Sequence, residues 1–228
     1  MINFFDFDGV IVDSIDECYI VSKGVYFGYA NFPYDEEEYK ALFYKYRGLV
    51  RPAYEYMTLH ESIEAYLKGK GGDIGELFKK ISIAKSDKDK TFYEKEFFYK
   101  RSLYQSDDME NWLSMNPIMP FGKTLVGRDN HDVIIVTTKN KEATNILLEH
   151  YKIKVNKIYA NDEIKCYGSK GLLITHVMDE NNIKEAIFLD DAVEHLETVK
   201  DNRVACYFAD WGYGFNNKYK VYKWRELS

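Results

Sequence analysis

The chain has 228 residues, of which 46% are hydrophobic and 30% are charged, a balance typical of a soluble globular protein. Its net charge of −6 argues against nucleic acid as the main partner, although it does not exclude a small phosphorylated substrate beside a bound cation. We expect no membrane association and a cytoplasmic location, because the sequence contains neither a bilayer-spanning apolar stretch nor a signal-peptide pattern at its start.

The first residues of the chain join a short strand to two closely spaced acids. An apolar run from Ile2 to Phe5 ends at Asp6 and Asp8, whose side chains project to the same side of an extended backbone. Gly9 then allows the chain to turn away steeply. Two carboxylates at the end of a strand can seat a hard cation such as Mg²⁺, and ligands bind at that edge of open α/β sheets. Taken alone, the same pattern is equally consistent with a plain turn after a strand.

The next hundred or so residues predict helices. Acidic first turns, a proline suited to a helix start and a glycine-rich break favour helices over 15–29, 35–47, 52–67, 73–84, 91–105 and 107–113. We expect the charged run 85–90 to form a solvated turn. Tyrosines concentrate in this half and are expected to pack between helices. Pro117 and Pro120 indicate a domain boundary.

After that boundary, strand-like runs alternate with helical segments. Strands are predicted over 133–136, 157–160, 186–189 and 204–208, with helices over 141–150, 170–179 and 192–199. This alternation is typical of a parallel sheet with crossover helices. The opening strand must join this sheet. We therefore predict an α/β fold, with a Rossmann-like parallel-sheet core of residues 1–14 and 117–228 and an inserted all-helical cap domain of residues 15–116.

Polar residues stand where the later strands and helices meet. Thr137 follows a strand, where its hydroxyl could hold a phosphate oxygen or simply cap the next helix. Lys170 opens a helix against the helix dipole, so its position favours an anionic partner, although a solvated lysine is equally possible. Lys165 is the competing candidate. The adjacent acids Asp190 and Asp191 repel each other unless a positive charge lies near them or the strand end is open to water.

The order of these features is more specific than any one of them. An acid-x-acid strand end, a strand threonine, a helix-start lysine and a strand-ending acid pair resemble the haloacid dehalogenase-like hydrolase superfamily. The likeness is to its phosphatases with a helical cap inserted after the first motif. The segment Trp211-Gly212-Tyr213-Gly214 is similar to the phosphoglycolate-phosphatase-like branch of that superfamily.

The resemblance implies a role for each of these residues. Asp6 would be the nucleophile that forms an aspartyl-phosphate, and Asp8 would be the general acid and then the general base. Thr137 and Lys170 would bind the phosphoryl oxygens. The cofactor would be Mg²⁺, held by the residues that the motifs supply: Asp6, the Asp8 backbone carbonyl, Asp191 and Asp190.

Two positions depart from the family pattern. His195 stands where relatives often carry an acid or an amide, so we do not count it as a ligand and expect it to be structural. Thr138 replaces the asparagine that commonly follows the motif threonine.

The resemblance implies a Mg²⁺-dependent phosphatase acting on a small phosphorylated metabolite. A phosphosugar mutase on the same fold is the main alternative, and a non-catalytic binding module is a more distant one. Asp8 argues against a dehalogenase, which does not need the second acid. We expect a monomer or a homodimer, and we expect the helical insertion to exclude water and to favour small substrates.

Overall fold

The computed structural model describes residues 1–28 and 32–224, so the last residue of the helix predicted over 15–29 lies outside the described part. The chain divides into two compact units. One, the helical unit, is Ser14–Asn116, and the other, the sheet unit, combines Met1–Asp13 with Pro117–Ser228. The sequence-based division assigned Ser14 to the sheet unit. In the described residues, every helix is too short or too polar to cross a membrane.

The helical unit contains six α-helices in the described residues. They are α1 (Ile15–Phe27), α2 (Glu36–Tyr46), α3 (Glu55–Leu67), α4 (Ile74–Ala84), α5 (Asp87–Asp107) and α6 (Met109–Ser114). Acidic side chains cap three of these N-termini. Asp35 accepts a hydrogen bond from the Glu38 amide, Asp73 accepts one from the Gly75 amide, and Asp108 accepts one from the Asn111 amide.

The prediction of a solvated turn over residues 85–90 is wrong. Helix α5 already begins at Asp87, and the Ser86 hydroxyl caps it by accepting a hydrogen bond of 3.2 Å from the Asp89 amide. Asp87 and Asp89 lie in the first turn, where the helix dipole favours negative charge. The charged run therefore starts a helix instead of separating two.

Aromatic side chains fill the core of the helical unit. The Tyr56 ring stacks between Phe43 and Phe97, with ring centroids 5.7 and 5.2 Å away. Tyr19 and Tyr39 are also buried, at 2% and 0% exposure. The expectation that tyrosines pack between helices is confirmed for these residues. Such rings bury a large apolar area, which stabilises a unit built only from helices.

The sheet unit alternates strands and helices. Its strands are β1 (Ile2–Phe5), β2 (Asp129–Val136), β3 (Lys154–Tyr159), β4 (Ala186–Asp190), β5 (Val204–Phe208) and β6 (Lys220–Val221). Its helices are α7 (Pro120–Lys123), α8 (Lys141–His150), α9 (Asn161–Tyr167), α10 (Lys170–Glu180) and α11 (Val193–Leu196). The strand order is β3-β2-β1-β4-β5-β6, and all the pairs are parallel. The predicted α/β parallel-sheet fold is confirmed.

Four elements of the sheet unit differ from the prediction. Strand β6 and the helices α7 and α9 were not predicted, and the helix expected over 192–199 is reduced to α11. Strand β6 has only two residues, both exposed, so it carries no apolar periodicity that would mark it as a strand.

Strand β1 lies at the centre of the sheet, between β2 and β4. Phe5 is in register with Ile135 of β2 and with Leu189 of β4. One face of the sheet buries Phe4 and Phe188 against α10 and α11, and on the other face the Phe5 ring contacts Phe121 edge-on at 5.3 Å. Because all the strands run in one direction, the residues that follow β1, β2 and β4 lie at one edge of the sheet.

Candidate active site

The register of β1 and β4 brings two carboxylates together. The Asp6 amide donates a hydrogen bond of 2.9 Å to the Leu189 carbonyl, so the strand ladder continues beyond β1 and sets Asp6 beside Asp190. Both side chains are buried, with Asp6 exposed by 6% and Asp190 by 0%. Two buried carboxylates on neighbouring strands repel each other unless a positive charge lies near them.

Lys170 supplies that charge at the start of α10. Its Nζ lies 2.8 Å from Asp6 Oδ1 and 2.8 Å from Asp190 Oδ2, and the side chain is almost fully buried. Burial works to lower the pKa of Lys170, but Asp190 and Asp6 together raise it above its ordinary value. Lys165, the competing candidate, is exposed on α9. The structure therefore joins Lys170 to the two acids.

The two acids in contact with Lys170 have pKa values that are shifted in opposite directions. Burial, and after it the negative charge of Asp190, raises the pKa of Asp6 to about 8. Burial also works to raise the pKa of Asp190, but Lys170 and His195 outweigh it and hold this pKa below its ordinary value. A single lysine thus faces two buried acids, and the pKa of Asp6 remains raised.

His195 is part of the same cluster. Its Nδ1 lies 3.1 Å from Asp190 Oδ2, and Asp190 Oδ1 also accepts a hydrogen bond of 2.8 Å from the Ala192 amide. From the sequence, His195 is expected to be structural and is not counted as a ligand. Its place one turn after the strand-ending acids was the signal that could have marked it as a partner of Asp190.

The donor atoms of this cluster suit a cation. Oxygen atoms of Asp6 and Asp190 and a ring nitrogen of His195 lie within 4.8 Å of one another. Mg²⁺ prefers oxygen ligands, so the two carboxylates fit it better than the imidazole does. The raised pKa of Asp6 is consistent with this fit, because a divalent cation would supply the positive charge that Lys170 alone does not.

Asp8 has a cationic partner that the sequence analysis missed. Lys139 Nζ lies 3.1 Å from Asp8 Oδ1, and the Lys139 side chain is 3% exposed. Lysine is seldom this buried without an anionic partner. Its position shortly after a buried strand, beside the candidate Thr137, was the available signal.

Thr137 lies at the end of β2, in the turn that carries Lys139. It is 1% exposed, and its Oγ1 accepts a hydrogen bond of 3.1 Å from the Lys139 amide. The Thr137 amide in turn donates to the Tyr159 carbonyl at 3.0 Å, which anchors the turn to β3. The hydroxyl therefore helps to shape the turn that brings Lys139 to Asp8.

Asp191 faces a different set of atoms from Asp190. Its Oδ2 accepts a hydrogen bond of 2.6 Å from the Tyr213 amide. The same oxygen packs against Gly9, where a Cβ atom would come within 2.5 Å of it. Gly9 also has a φ of 81°, a conformation that L side chains rarely adopt, so two independent constraints require glycine there. The two neighbouring acids thus have different partners.

Solved structures with similar folds were found by comparison. A predicted phosphoglycolate phosphatase from Haemophilus somnus aligns with a TM-score of 0.61 and 13% identity, over 95% of this chain and 88% of that one. A predicted phosphatase from Clostridium acetobutylicum aligns at 0.59 and 17%, over 99% and 94%. A haloacid dehalogenase-like family hydrolase from Streptococcus pneumoniae aligns at 0.52 and 15%, over 99% and 95%.

At these identities the likeness shows a common fold, the one that the motif resemblance implied. Comparison of sequences found no such similarity, since no protein-family model matches the chain and no curated protein sequence matches it significantly.

Proposed function

We propose that the chain is a phosphatase of the haloacid dehalogenase-like superfamily, which hydrolyses a small phosphorylated metabolite with the help of Mg²⁺. The observation that carries the proposal is the bridge from Lys170 to both Asp6 and Asp190, three residues far apart in sequence. Their order along the chain and the shared fold support the same class of enzyme.

Asp6 is the proposed nucleophile. One of its carboxylate oxygens attacks the phosphorus atom, the bond from phosphorus to the ester oxygen breaks, and an aspartyl-phosphate forms. Water then attacks the phosphorus, the bond to the Asp6 oxygen breaks, and inorganic phosphate leaves. A carboxylate can attack a phosphate only where positive charge cancels their repulsion, and Lys170 contributes such charge at 2.8 Å from Asp6.

Asp8 is the proposed proton carrier. It donates a proton to the leaving ester oxygen in the first step and takes one from the attacking water in the second. Its side chain is half-buried, whereas Asp6 is buried, so the two acids occupy the different environments that different roles require. Lys139 compensates the charge of Asp8 and holds its carboxylate in place.

Mg²⁺ would be held by the carboxylates of Asp6 and Asp190 and by the backbone carbonyl of Asp8. When bound, it would lower the repulsion between the nucleophile and the phosphate. The resemblance makes Asp191 a further ligand, and its Oδ2 packs against Gly9, beside the backbone of Asp8. Thr137 and Lys170 are proposed to bind the phosphoryl oxygens.

A phosphate-release assay tests this function. We expect the purified protein to release phosphate from an aryl phosphate in the presence of Mg²⁺ and to lose that activity with a chelator. Asp6→Asn should abolish release, whereas Asp129→Asn, at an exposed acid at the start of β2, should not change it. Release that survives in Asp6→Asn would remove the nucleophile assignment.

A substrate screen follows from the same assay. Phosphoglycolate is the first compound to try, because one of the similar structures carries that name. A phosphosugar that is converted into its isomer without net phosphate release would favour the mutase alternative.

A further inference from the structure

Helix α5 carries two stripes of large side chains on different sides. Tyr93, Phe97 and Arg101 belong to the first stripe, which is buried in the core of the helical unit. The second stripe lies at the surface and consists of Phe92, Glu96, Tyr99 and Leu103. Its rings are exposed by 65% at position 92 and by 60% at position 99. Side chains at this spacing form one seam of a helix pair when a second helix packs against them.

A groove of about 450 Å³ runs beside the second stripe. All four residues of that stripe line it, together with Gly24 and Val25 of α1 and Met57 of α3. Gly24 keeps the groove open, because a Cβ atom there would come within 3.2 Å of Lys100 Cε. Aromatic and methionine side chains are enriched in protein interfaces. The helical unit therefore presents exposed rings beside a groove that can receive such rings.

The charges on this surface favour a second copy of the same chain as the partner. Glu96 and Lys100 lie one helical turn apart, and both line the groove. If two copies of α5 pack antiparallel about a two-fold axis, Glu96 of each copy can lie opposite Lys100 of the other. A parallel arrangement would instead place Glu96 opposite Glu96, which is unfavourable. Because one surface supplies both charges, it is complementary to itself.

The same register brings the exposed rings to the groove. Phe92 precedes Glu96 by as many residues as Tyr104 follows Lys100, so Phe92 of one copy lies opposite Tyr104 of the other. Tyr104 borders the groove at Gly24, where a Cβ atom would come within 3.9 Å of the Tyr104 hydroxyl oxygen. Charge pairing and ring packing thus require one and the same arrangement.

We propose that the protein forms a two-fold symmetric homodimer, in which two copies of α5 pack antiparallel and Phe92 and Tyr99 of each copy enter the groove of the other. Covering these rings removes apolar surface from water and favours association. Glu96 and Lys100 set the direction of the two helices. This dimer is independent of the proposed phosphatase chemistry, because every residue in it belongs to the helical unit.

Sedimentation equilibrium of the full chain tests the dimer. Between micromolar and submillimolar concentrations, the mass should rise from 26.8 kDa toward twice that value. Phe92→Ser should raise the dissociation constant at least roughly 30-fold, because a symmetric interface loses the same ring twice. Ile83→Ser is the control, at an 87% exposed position on α4 outside the groove. It should leave the dissociation constant within about twofold.

Exchanging the two charges tests the direction of packing. Glu96→Lys or Lys100→Glu alone should raise the dissociation constant about tenfold, because each places like charges opposite each other. The double variant restores both pairs and should return the constant to within about threefold of the unsubstituted protein. Far-UV circular dichroism checks that each variant keeps its helices. If Phe92→Ser does not fold, the charge exchange decides the matter.

Three results would overturn the proposed dimer. A mass of 26.8 kDa at every concentration would leave the groove to a different partner. Equal effects of Phe92→Ser and Ile83→Ser would place the dimer contact on another surface. A double charge variant that dimerises as weakly as the single variants would exclude the antiparallel register.

Discussion

The sheet unit and the helical unit both bury charged side chains, but they balance the charges differently. In the helical unit, Arg101 forms two hydrogen bonds to Glu17, at 2.6 and 3.0 Å, and both side chains are almost fully buried. One positive charge meets one negative charge. In the sheet unit, the single ammonium group of Lys170 is shared between Asp6 and Asp190.

This difference separates a structural ion pair from a candidate active site. A matched buried pair completes its own electrostatics and needs no ligand. A crowded set of acids costs stability, and such strained electrostatics are typical of functional sites. Burial, and after it the charge of Asp190, raises the pKa of Asp6, so this carboxylate would gain from a further positive charge.

The helical unit also contains a buried histidine whose contacts differ from those of the candidate active site. His60 contacts the Ser22 hydroxyl through Nε2 and the Tyr39 hydroxyl through Nδ1, both at 2.9 Å. A serine beside a histidine could suggest nucleophilic catalysis, but all three side chains are fully buried. Their polar atoms satisfy one another inside the helical core, so we interpret this group as structural.

Among the lysine and arginine changes that test this comparison, Lys170→Met is expected to have the largest effect on activity. This change removes the charge shared by the two acids, and we expect kcat for phosphate release to fall roughly 100- to 1,000-fold, as when a charge-stabilising donor is removed. Lys165→Met, which alters an exposed lysine on α9, is the control and should behave like the unsubstituted protein. Equal losses in both variants would contradict the role of Lys170.

Arg101→Met is expected to lower the stability of the fold and not the rate of phosphate release. It leaves the Glu17 carboxylate buried without its cation, which is expected to lower the free energy of unfolding by about 3–5 kcal/mol. Chemical denaturation measures the change. Lys68→Met, which breaks the exposed pair with Glu64, should cost less than about 1 kcal/mol. A small effect of Arg101→Met would show that the helical unit does not depend on its buried pair.

Lys139→Met tests a residue that the sequence analysis did not identify. The change removes the Lys139 ammonium group, which lies 3.1 Å from Asp8 Oδ1. We therefore expect kcat to fall roughly 10- to 100-fold. Lys141→Met is the matched control, because Lys141 is on the next helix and pairs with Glu163 near the surface. Activity of Lys139→Met equal to that of the control would assign Lys139 to folding alone.

The smallest effect is a pH dependence in the helical unit. Burial lowers the pKa of His60 to about 3, whereas an unfolded histidine titrates near 6.5. Between these values only the unfolded chain binds the proton, so stability is lost as the pH falls below about 6.5. From pH 7 to pH 5 this contribution amounts to about 2 kcal/mol.

Denaturation of His60→Gln at pH 7 and pH 5 checks this contribution. The variant should lose about 2 kcal/mol less than the unsubstituted protein over that range. If the variant does not fold, the ring resonances of His60 should still report a neutral imidazole at pH 5. A protonated ring at pH 5 would contradict the prediction.

Apart from β6, α7 and α9, the sequence was sufficient to predict the alternation of strands and helices in the sheet unit, and it placed Asp6, Lys170 and Asp190 at the ends of these elements. Each of these residues lies at the end of a strand or the start of a helix, and in a parallel sheet the strand ends converge. By contrast, the prediction for the charged run 85–90 was wrong, because serine and aspartate are common both in turns and at helix N-termini. Only the cap geometry of Ser86 shows that a helix begins there.

The partners of the site residues were harder to predict than the site itself. The contact from Lys139 to Asp8 joins residues separated by 131 positions, and it depends on how the turn after β2 is shaped. The separate surroundings of Asp190 and Asp191 depend on the segment 211–214, which only the folded chain brings to Gly9. No local pattern encodes such long-range contacts.

The most direct measurement is a crystal structure of the protein with Mg²⁺ and beryllium fluoride, a mimic of the phosphoryl group. The account predicts a fluoroberyllate bonded to an Asp6 carboxylate oxygen, with the cation held by Asp6 and the acid pair Asp190 and Asp191. A fluoroberyllate on another residue, or a cation bound away from Asp6 in an enzyme that releases phosphate, would contradict it.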